Sequence, residues 1–195
     1  GKIAIPEGKT WEDYVKLRWM EITCGEAPFM TSRYDTTTGR AIHIEDRIGF
    51  LDRKLRIVNE NTCNREDWFD AAATAYQTSR AYEWQGDNLL LARESLLYTF
   101  IDNYEYKFGE RPDHELVREI ADIISWNVWQ MDGLKGVIPN SCHDVENRNL
   151  YGEIERTPCP GCKTNNIHNH NGIPVLLKAF SSGNTYPFHL LSKKR

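Results

Sequence analysis

The segment EITCGEAPF occupies residues 21–29, and it decides how the first half of the chain is expected to fold. A short β-prone stretch, Trp19 to Thr23, runs directly into it. Gly25 and Pro28 then favour a turn, because glycine permits backbone conformations that other residues resist and proline interrupts regular structure. We therefore expect a strand whose end opens into a turn that can approach a small ligand closely.

Helical spacing dominates the sequence after this segment. Apolar residues recurring at three and four positions predict a helix over residues 88–106 with Asp87 as its N-cap, and Asn64 is expected to cap an earlier helix. A short helix beginning at Asp113 is expected to give way to a strand over residues 121–128. Strands alternating with helices are typical of a parallel α/β sheet.

The composition changes at Pro139, after which Asn, Cys, His, Gly and Pro predominate. Cys159 and Cys162 form a Cys-x2-Cys pair, which presents two thiolates to tetrahedral zinc, and Cys142 with either His168 or His170 would complete a Cys₃His site. Zinc binding would supply folding energy to a stretch with few apolar residues. The alternative is a free thiol pair in a surface loop with solvated histidines.

The change in composition after residue 138 predicts two domains. Residues 1–138 are expected to form an α/β core, and residues 139–195 a zinc-binding knuckle followed by a β-hairpin, because apolar runs at 173–180 and 185–191 flank a Ser-Ser-Gly-Asn turn.

Charge and cysteine content restrict the classes of function. Residues 1–134 carry 24 acidic and 16 basic residues, whereas residues 135–195 carry 4 and 8. An acidic body disfavours non-specific DNA binding, so nucleic acid would more readily meet the tail. No apolar run reaches the length of a membrane helix, so no membrane association is expected. Five cysteines, two of them in the Cys-x2-Cys pair, favour a reducing, cytoplasmic location.

Three segments carry the clearest motifs of the chain: residues 21–29 (EITCGEAPF), 81–85 (AYEWQ) and 129–134 (WQMDGL). They resemble the motifs of amino-methylating DNA methyltransferases, in particular short bacterial proteins labelled as the methyltransferase (M) subunit of restriction–modification systems. The resemblance implies a class I methyltransferase-like (Rossmann-like) three-layer core that binds S-adenosylmethionine. The residues it assigns to the cofactor are Glu21, Cys24, Gly25, Phe29, Glu83, Trp84 and Asp132.

The resemblance implies a role for five of these residues. Glu21 and the Gly25 turn would receive the methionine part, Glu83 the ribose hydroxyls, Trp84 the adenine ring and Asp132 the adenine amino group. The alternative is structural: strand-end carboxylates that accept nearby N–H groups, and a tryptophan in the core.

The chain departs from the family in two places. Ala27 and Pro28 replace the second glycine of the first motif and its neighbour, and the (Asp/Asn/Ser)-Pro-Pro-(Tyr/Phe) motif that binds a flipped base is absent. We therefore assign no catalytic residue and expect an accessory subunit that meets DNA through a restriction–modification partner. If active, it would methylate a base amino group. The rival hypothesis is a non-enzymatic inhibitor or adaptor whose acidic body binds a nucleic-acid-binding protein.

Overall fold

The computed structural model describes residues 5–35 and 37–192 of the chain. The chain divides into two compact units, residues 1–128 (the first unit) and residues 129–195 (the second unit). The division therefore falls at residue 128, whereas the sequence suggested residue 138. No helix within the described residues combines the length and hydropathy that crossing a bilayer requires.

The first unit is a mixed α/β structure in which helices separate the strands. Its elements are α1 Trp11–Val15, β1 Trp19–Ile22, α2 Phe50–Asn61, α3 Arg65–Gln77, β2 Ser79–Glu83, α4 Gly86–Phe108 and α5 His114–Asn127. A strand β3, Val128–Gln130, begins at the last residue of this unit, and the order of the three-stranded sheet is β1-β2-β3. β1 and β2 run parallel, with Glu21 opposite Ala81. The α/β class with a parallel sheet is thus confirmed.

Local signals place most helix ends correctly. The side chain of Asn64 accepts a 2.8 Å hydrogen bond from the N–H of Asp67 and caps α3, as expected. The long helix α4 is confirmed and ends at Gly109, whose φ of 74° lies in the left-handed region that favours glycine. The expected cap of α4 is wrong, because the helix begins at Gly86 and Asp87 already lies in its first turn.

The strand expected over residues 121–128 is also wrong. Helix α5 continues to Asn127, and only the short strand β3 follows. The residues buried on α5 are Ile120, Ile123, Ile124 and Asn127. This spacing of three, one and three residues is helical, so one buried stripe of α5 packs on the core.

Trp68 of α3 lies at the centre of the core of the first unit. It is fully buried, and its ring centroid lies 5.7 Å from Phe100, 5.4 Å from Tyr104 and 5.8 Å from Phe108 of α4. Its indole N–H donates to Oδ1 of Asn59 at 2.7 Å. These contacts join the helices α2, α3 and α4 in one packed core.

Over its described residues, 129–192, the second unit contains two antiparallel hairpins and one short α-helix. Its elements are β4 Val145–Arg148, β5 Ile154–Thr157, α6 Pro160–Thr164, β6 Leu176–Lys178 and β7 Thr185–Pro187. The β6–β7 pair confirms the expected terminal hairpin. The β4–β5 pair was not anticipated from the sequence.

Candidate functional sites: a metal centre and a pocket at the end of the first strand

Three thiols and one imidazole converge in the second unit. The Sγ atoms of Cys142, Cys159 and Cys162 and a ring nitrogen of His170 all lie within 4.8 Å of one another. His170 Nδ1 lies 3.5 Å from Cys142 Sγ and 3.7 Å from each of the other two sulfurs. A tetrahedral zinc ion with Zn–S of about 2.3 Å and Zn–N of about 2.0 Å separates its sulfur and nitrogen ligands by about 3.6 Å. The cluster therefore fits a metal such as zinc.

The structure chooses between the two histidines that the sequence left open. His170 belongs to the cluster, and His168 does not. The His168 ring packs edge-on against His189, with ring centroids 5.5 Å apart, and both of its ring nitrogens are buried without a hydrogen-bond partner in the described residues. The imidazole of His170 packs against Gly161, beside the three thiols.

Local chain geometry brings two of the thiols together. Cys159 is the N-cap of α6, Pro160 is its first residue, and the N–H of Lys163 donates to the Cys159 carbonyl at 2.9 Å. Proline suits this position because its missing N–H would have no partner in the first turn. The tight turn places Cys159 and Cys162 on the same side, where His170 closes the site.

Hydrogen bonding to the sulfurs favours ionisation of one thiol. Burial opposes the ionisation of Cys159, but backbone N–H groups, foremost that of Asn171, and the His170 ring outweigh it and lower its pKa to about 6. The Asn171 N–H lies 3.4 Å from the sulfur. Burial, followed by hydrogen bonds with Cys159 and Cys162, raises the pKa of Cys142 to about 11. A divalent ion would favour thiolates because metal ligation requires deprotonated cysteine.

Gly161 permits the approach of His170, and its replacement tests the geometry of the site. An added Cβ would lie 2.5 Å from the His170 backbone nitrogen and 2.6 Å from its Cγ. We expect Gly161→Ala to weaken zinc binding on the order of 10- to 100-fold, because it displaces the imidazole. Competition with a chromophoric chelator measures the affinity, and Lys163→Ala in the same short helix is the matched control. An unchanged affinity in Gly161→Ala would show that His170 does not ligate the ion.

A second site, the strand-end pocket, opens in the first unit where β1 ends. Its volume is about 760 Å³. Its lining includes Glu21, Thr23, Cys24, Gly25, Phe29, Arg33 and, from α4, Ser95. Four of the residues assigned to a cofactor therefore share one pocket. Ser95 was missed by the sequence analysis, since it comes from a helix far along the chain.

Glu83 fixes the turn that forms the base of this pocket. Its Oε2 accepts the N–H of Gly25 at 2.7 Å, and its Oε1 accepts the N–H of Gln85 at 3.0 Å. The N–H of Cys24 donates to the Tyr82 carbonyl at 2.9 Å and continues the pairing of β1 with β2. Both carboxylate oxygens of Glu83 thus hold main-chain groups, as in the structural alternative that the sequence left open.

Glu21 differs from Glu83 because one of its oxygens is unused. Its Oε2 is buried and has no hydrogen-bond partner in the part of the chain that the structure describes. Burial raises the pKa of Glu21 to about 7. The neighbouring thiol is unreactive, since burial, together with the carboxylates of Glu21 and Glu83, raises the pKa of Cys24 to about 12. A buried acceptor without a partner is costly unless a ligand or water satisfies it.

The remaining two assigned residues lie elsewhere. Trp84 follows β2, is 39 % exposed and is not among the residues lining the strand-end pocket. Asp132 belongs to the second unit, where its Oδ1 accepts the N–H of Leu134 at 3.1 Å and its Oδ2 pairs with Lys135 Nζ at 3.2 Å. Both carboxylate oxygens of Asp132 therefore bond residues of its own turn.

Stability should depend on pH through Glu21. A carboxyl whose pKa is raised on folding stabilises the fold below its unfolded value of 4.5 and loses that contribution as pH rises through about 7. At about pH 8 we expect the free energy of unfolding of Glu21→Gln to exceed that of the wild type by about 1 kcal/mol, because solvent screening limits the effect. At about pH 5 this difference should disappear. Urea unfolding at both pH values measures the difference. An equal difference at both would contradict the burial of this carboxyl.

Comparison with known proteins provides no family for this chain. No protein-family model, no curated protein and no solved structure matches it.

Proposed function

We propose that this protein is a class I methyltransferase-like accessory subunit of a DNA restriction–modification system, and that it binds S-adenosylmethionine in the strand-end pocket. The observation that supports this most directly is the buried, unpartnered Oε2 of Glu21 beside the Gly25 turn. Open parallel α/β sheets bind their ligands beyond the carboxyl ends of the strands, and Glu21 lies near the carboxyl end of β1 with the Gly25 turn just after it.

The chemistry of the pocket suits the amino-acid part of this cofactor. S-adenosylmethionine carries an ammonium and a sulfonium, and an ionised Glu21 attracts both. Arg33, which lines the same pocket and pairs with Asp102 at 3.1 Å, offers a guanidinium for the cofactor carboxylate. A volume of about 760 Å³ lies in the range of small-molecule sites.

The role is that of a binding subunit. The base-binding motif is missing from the sequence, so a partner subunit would contact the DNA and supply the catalytic groups. The parallel β1–β2 pair supports the three-layer core that this function requires. The protein would work in the cytoplasm beside that partner.

Calorimetric titration with S-adenosylmethionine at about pH 8 tests the proposal. We expect saturable binding, and a loss of about 10- to 100-fold in affinity in Glu21→Gln, because a charge-assisted hydrogen bond is worth about 1.5–3 kcal/mol. Glu119→Gln, an exposed carboxylate on α5, is the matched control. No binding at millimolar cofactor, or unchanged binding by Glu21→Gln, would refute the function.

A second candidate, a non-enzymatic adaptor or inhibitor, is favoured by the β4–β5 hairpin. Leu150 and Tyr151 at its tip are 102 % and 89 % exposed. Hydrogen bonds close the tip, because Oδ1 of Asn149 accepts the N–H groups of Tyr151 and Glu153, each at 3.0 Å. An ordered loop that presents apolar side chains to solvent is suited to docking at low entropic cost.

The charge of this hairpin suggests the kind of partner. Residues 144–157 contain four acidic residues and two arginines. An acidic arm with an apolar tip complements a basic, nucleic-acid-binding protein. We expect Leu150→Ser with Tyr151→Ser to abolish binding to a purified restriction–modification partner while zinc content and melting temperature stay unchanged. Undiminished binding by this double variant would exclude the hairpin as the docking element.

A further inference from the structure

The strand β1 lies at the edge of the sheet, with β2 as its neighbour on one side. The N–H of Trp19 donates to the carbonyl of Thr78 at 2.9 Å, so Trp19 and Glu21 turn their backbone groups toward β2. In a parallel ladder the alternate residues, Met20 and Ile22, point their backbone groups to the other side. Within the described residues β1 pairs with β2, and no strand lies on its other side, toward which these N–H groups point. An unpaired edge of this kind is a template for a further strand.

Apolar side chains lie beside this free edge. Leu17, Trp19, Met20 and Ile22 are each between 40 and 45 % exposed. The Trp19 ring stacks on Phe50 of α2, with centroids 5.4 Å apart and planes inclined by 12°. The edge therefore offers both hydrogen-bond donors and a band of apolar surface, and a strand added there would satisfy both.

The charges along β1 indicate which strand would pair there. Lys16 and Arg18 precede the strand, whereas Glu21 and Glu26 lie at and beyond its other end. A second copy of β1 running antiparallel would set the basic end of one strand beside the acidic end of the other. A parallel copy would set like charges together, which is unfavourable between paired strands.

We propose that β1 pairs antiparallel with β1 of a second copy of this chain, about a two-fold axis at Met20. With this register, Met20 exchanges two backbone hydrogen bonds with its own copy, and Ile22 lies opposite Arg18. A two-fold axis at Glu21 would instead place the Glu21 carboxylates of the two copies opposite each other, which is unfavourable. The resulting dimer is independent of cofactor binding and of the proposed function.

The pairing surface is small, so the dimer is weak. Stable interfaces bury about 1,600 Å² in total, and a four-residue strand with its flanking side chains provides less. A dissociation constant on the order of tens of micromolar is expected. The acidic first unit repels its copy over longer distances, and salt at about 0.15 M screens this repulsion.

Sedimentation equilibrium from about 5 to about 500 µM protein tests the pairing. Met20→Pro removes an outward N–H but no hydrogen bond to β2, so the fold should persist while the dimer weakens by about 10-fold or more. Met20→Ala keeps the N–H and serves as the matched control, with a smaller loss. Arg18→Glu is the second variant, should the proline disturb the strand, and it should weaken the dimer as well because two acidic ends would meet.

The outcomes separate clearly. A concentration-dependent dimer that Met20→Pro or Arg18→Glu weakens supports the pairing of β1 with β1. A monomer at every concentration, or a dimer that is indifferent to both variants, would overturn it. Cofactor titration of the same preparations is unaffected by either result, so failure of the dimer and failure of the proposed function are distinguishable.

Discussion

Replacing Cys159 by Ser is expected to remove the metal ion and to unfold the second unit. This unit has a small apolar core, and its largest fully buried apolar side chains are Met131 and Leu177. Apparent binding free energies of structural zinc sites are about 10–16 kcal/mol, and in such small units they are folding energy. We therefore expect zinc content to fall from about one ion per chain to nearly none, and amide protection to vanish over residues 142–171 while the first unit stays folded.

Cys63→Ser is the matched control for this result. Cys63 is an exposed thiol of the first unit and lies outside the metal cluster. Its replacement should leave both zinc content and hydrogen exchange as they are in the wild type. A wild-type protein that is purified without metal yet melts cooperatively in its second unit, or a Cys159→Ser variant that keeps its zinc, would contradict the role of the cluster.

Trp68→Ala should cause the largest loss of stability in the first unit, about 3–5 kcal/mol. The substitution empties a site lined by three aromatic rings and leaves Oδ1 of Asn59 without its 2.7 Å donor. Urea unfolding followed by far-ultraviolet circular dichroism measures the change. Phe29→Ala removes an aromatic side chain that is 75 % exposed and should cost less than about 1 kcal/mol. Similar losses in the two variants would show that Trp68 is not the centre of the core.

Sequence patterns predict the helices better than the strands. The cap of α3 and the apolar spacing of α4 depend on residues within a few positions, which is why both are correct. Residues 121–128 mislead because Ile123 and Ile124 are β-branched and favour strands in isolation. Tertiary packing favours the helix instead. Nδ2 of Asn127 at the end of α5 donates to the carbonyl of Tyr76 at 2.8 Å, and no local sequence pattern predicts this contact.

The metal centre was predictable in kind, because Cys-x2-Cys is a local motif. The choice of His170 over His168 was not, since it depends on the close approach of the imidazole to Gly161 in three dimensions. The β4–β5 hairpin escaped notice because polar and charged residues dominate both strands, and its burial pattern shows almost no apolar alternation.

The strand-end pocket shows the same division between local and distant information. Glu21 and Gly25 come from one short segment, and the structure places both in the pocket. The role of Glu83 depends on Gly25, 58 residues away in the sequence, whose N–H it accepts. The resemblance assigned Glu83 to the ribose hydroxyls of a cofactor, whereas backbone donors occupy both of its oxygens, as the structural alternative expected. The Oε2 atom of Glu21, which has no partner within the described residues, is therefore an acceptor that a ligand in this pocket could use.

X-ray absorption at the zinc edge tests most directly the claim that four side chains of the second unit build a metal centre. Three sulfur ligands at about 2.3 Å and one nitrogen at about 2.0 Å are expected, as Cys142, Cys159, Cys162 and His170 require. The claim would be contradicted by a ligand shell with two sulfurs or with nitrogen and oxygen only. Purified protein that takes up no zinc would contradict it as well.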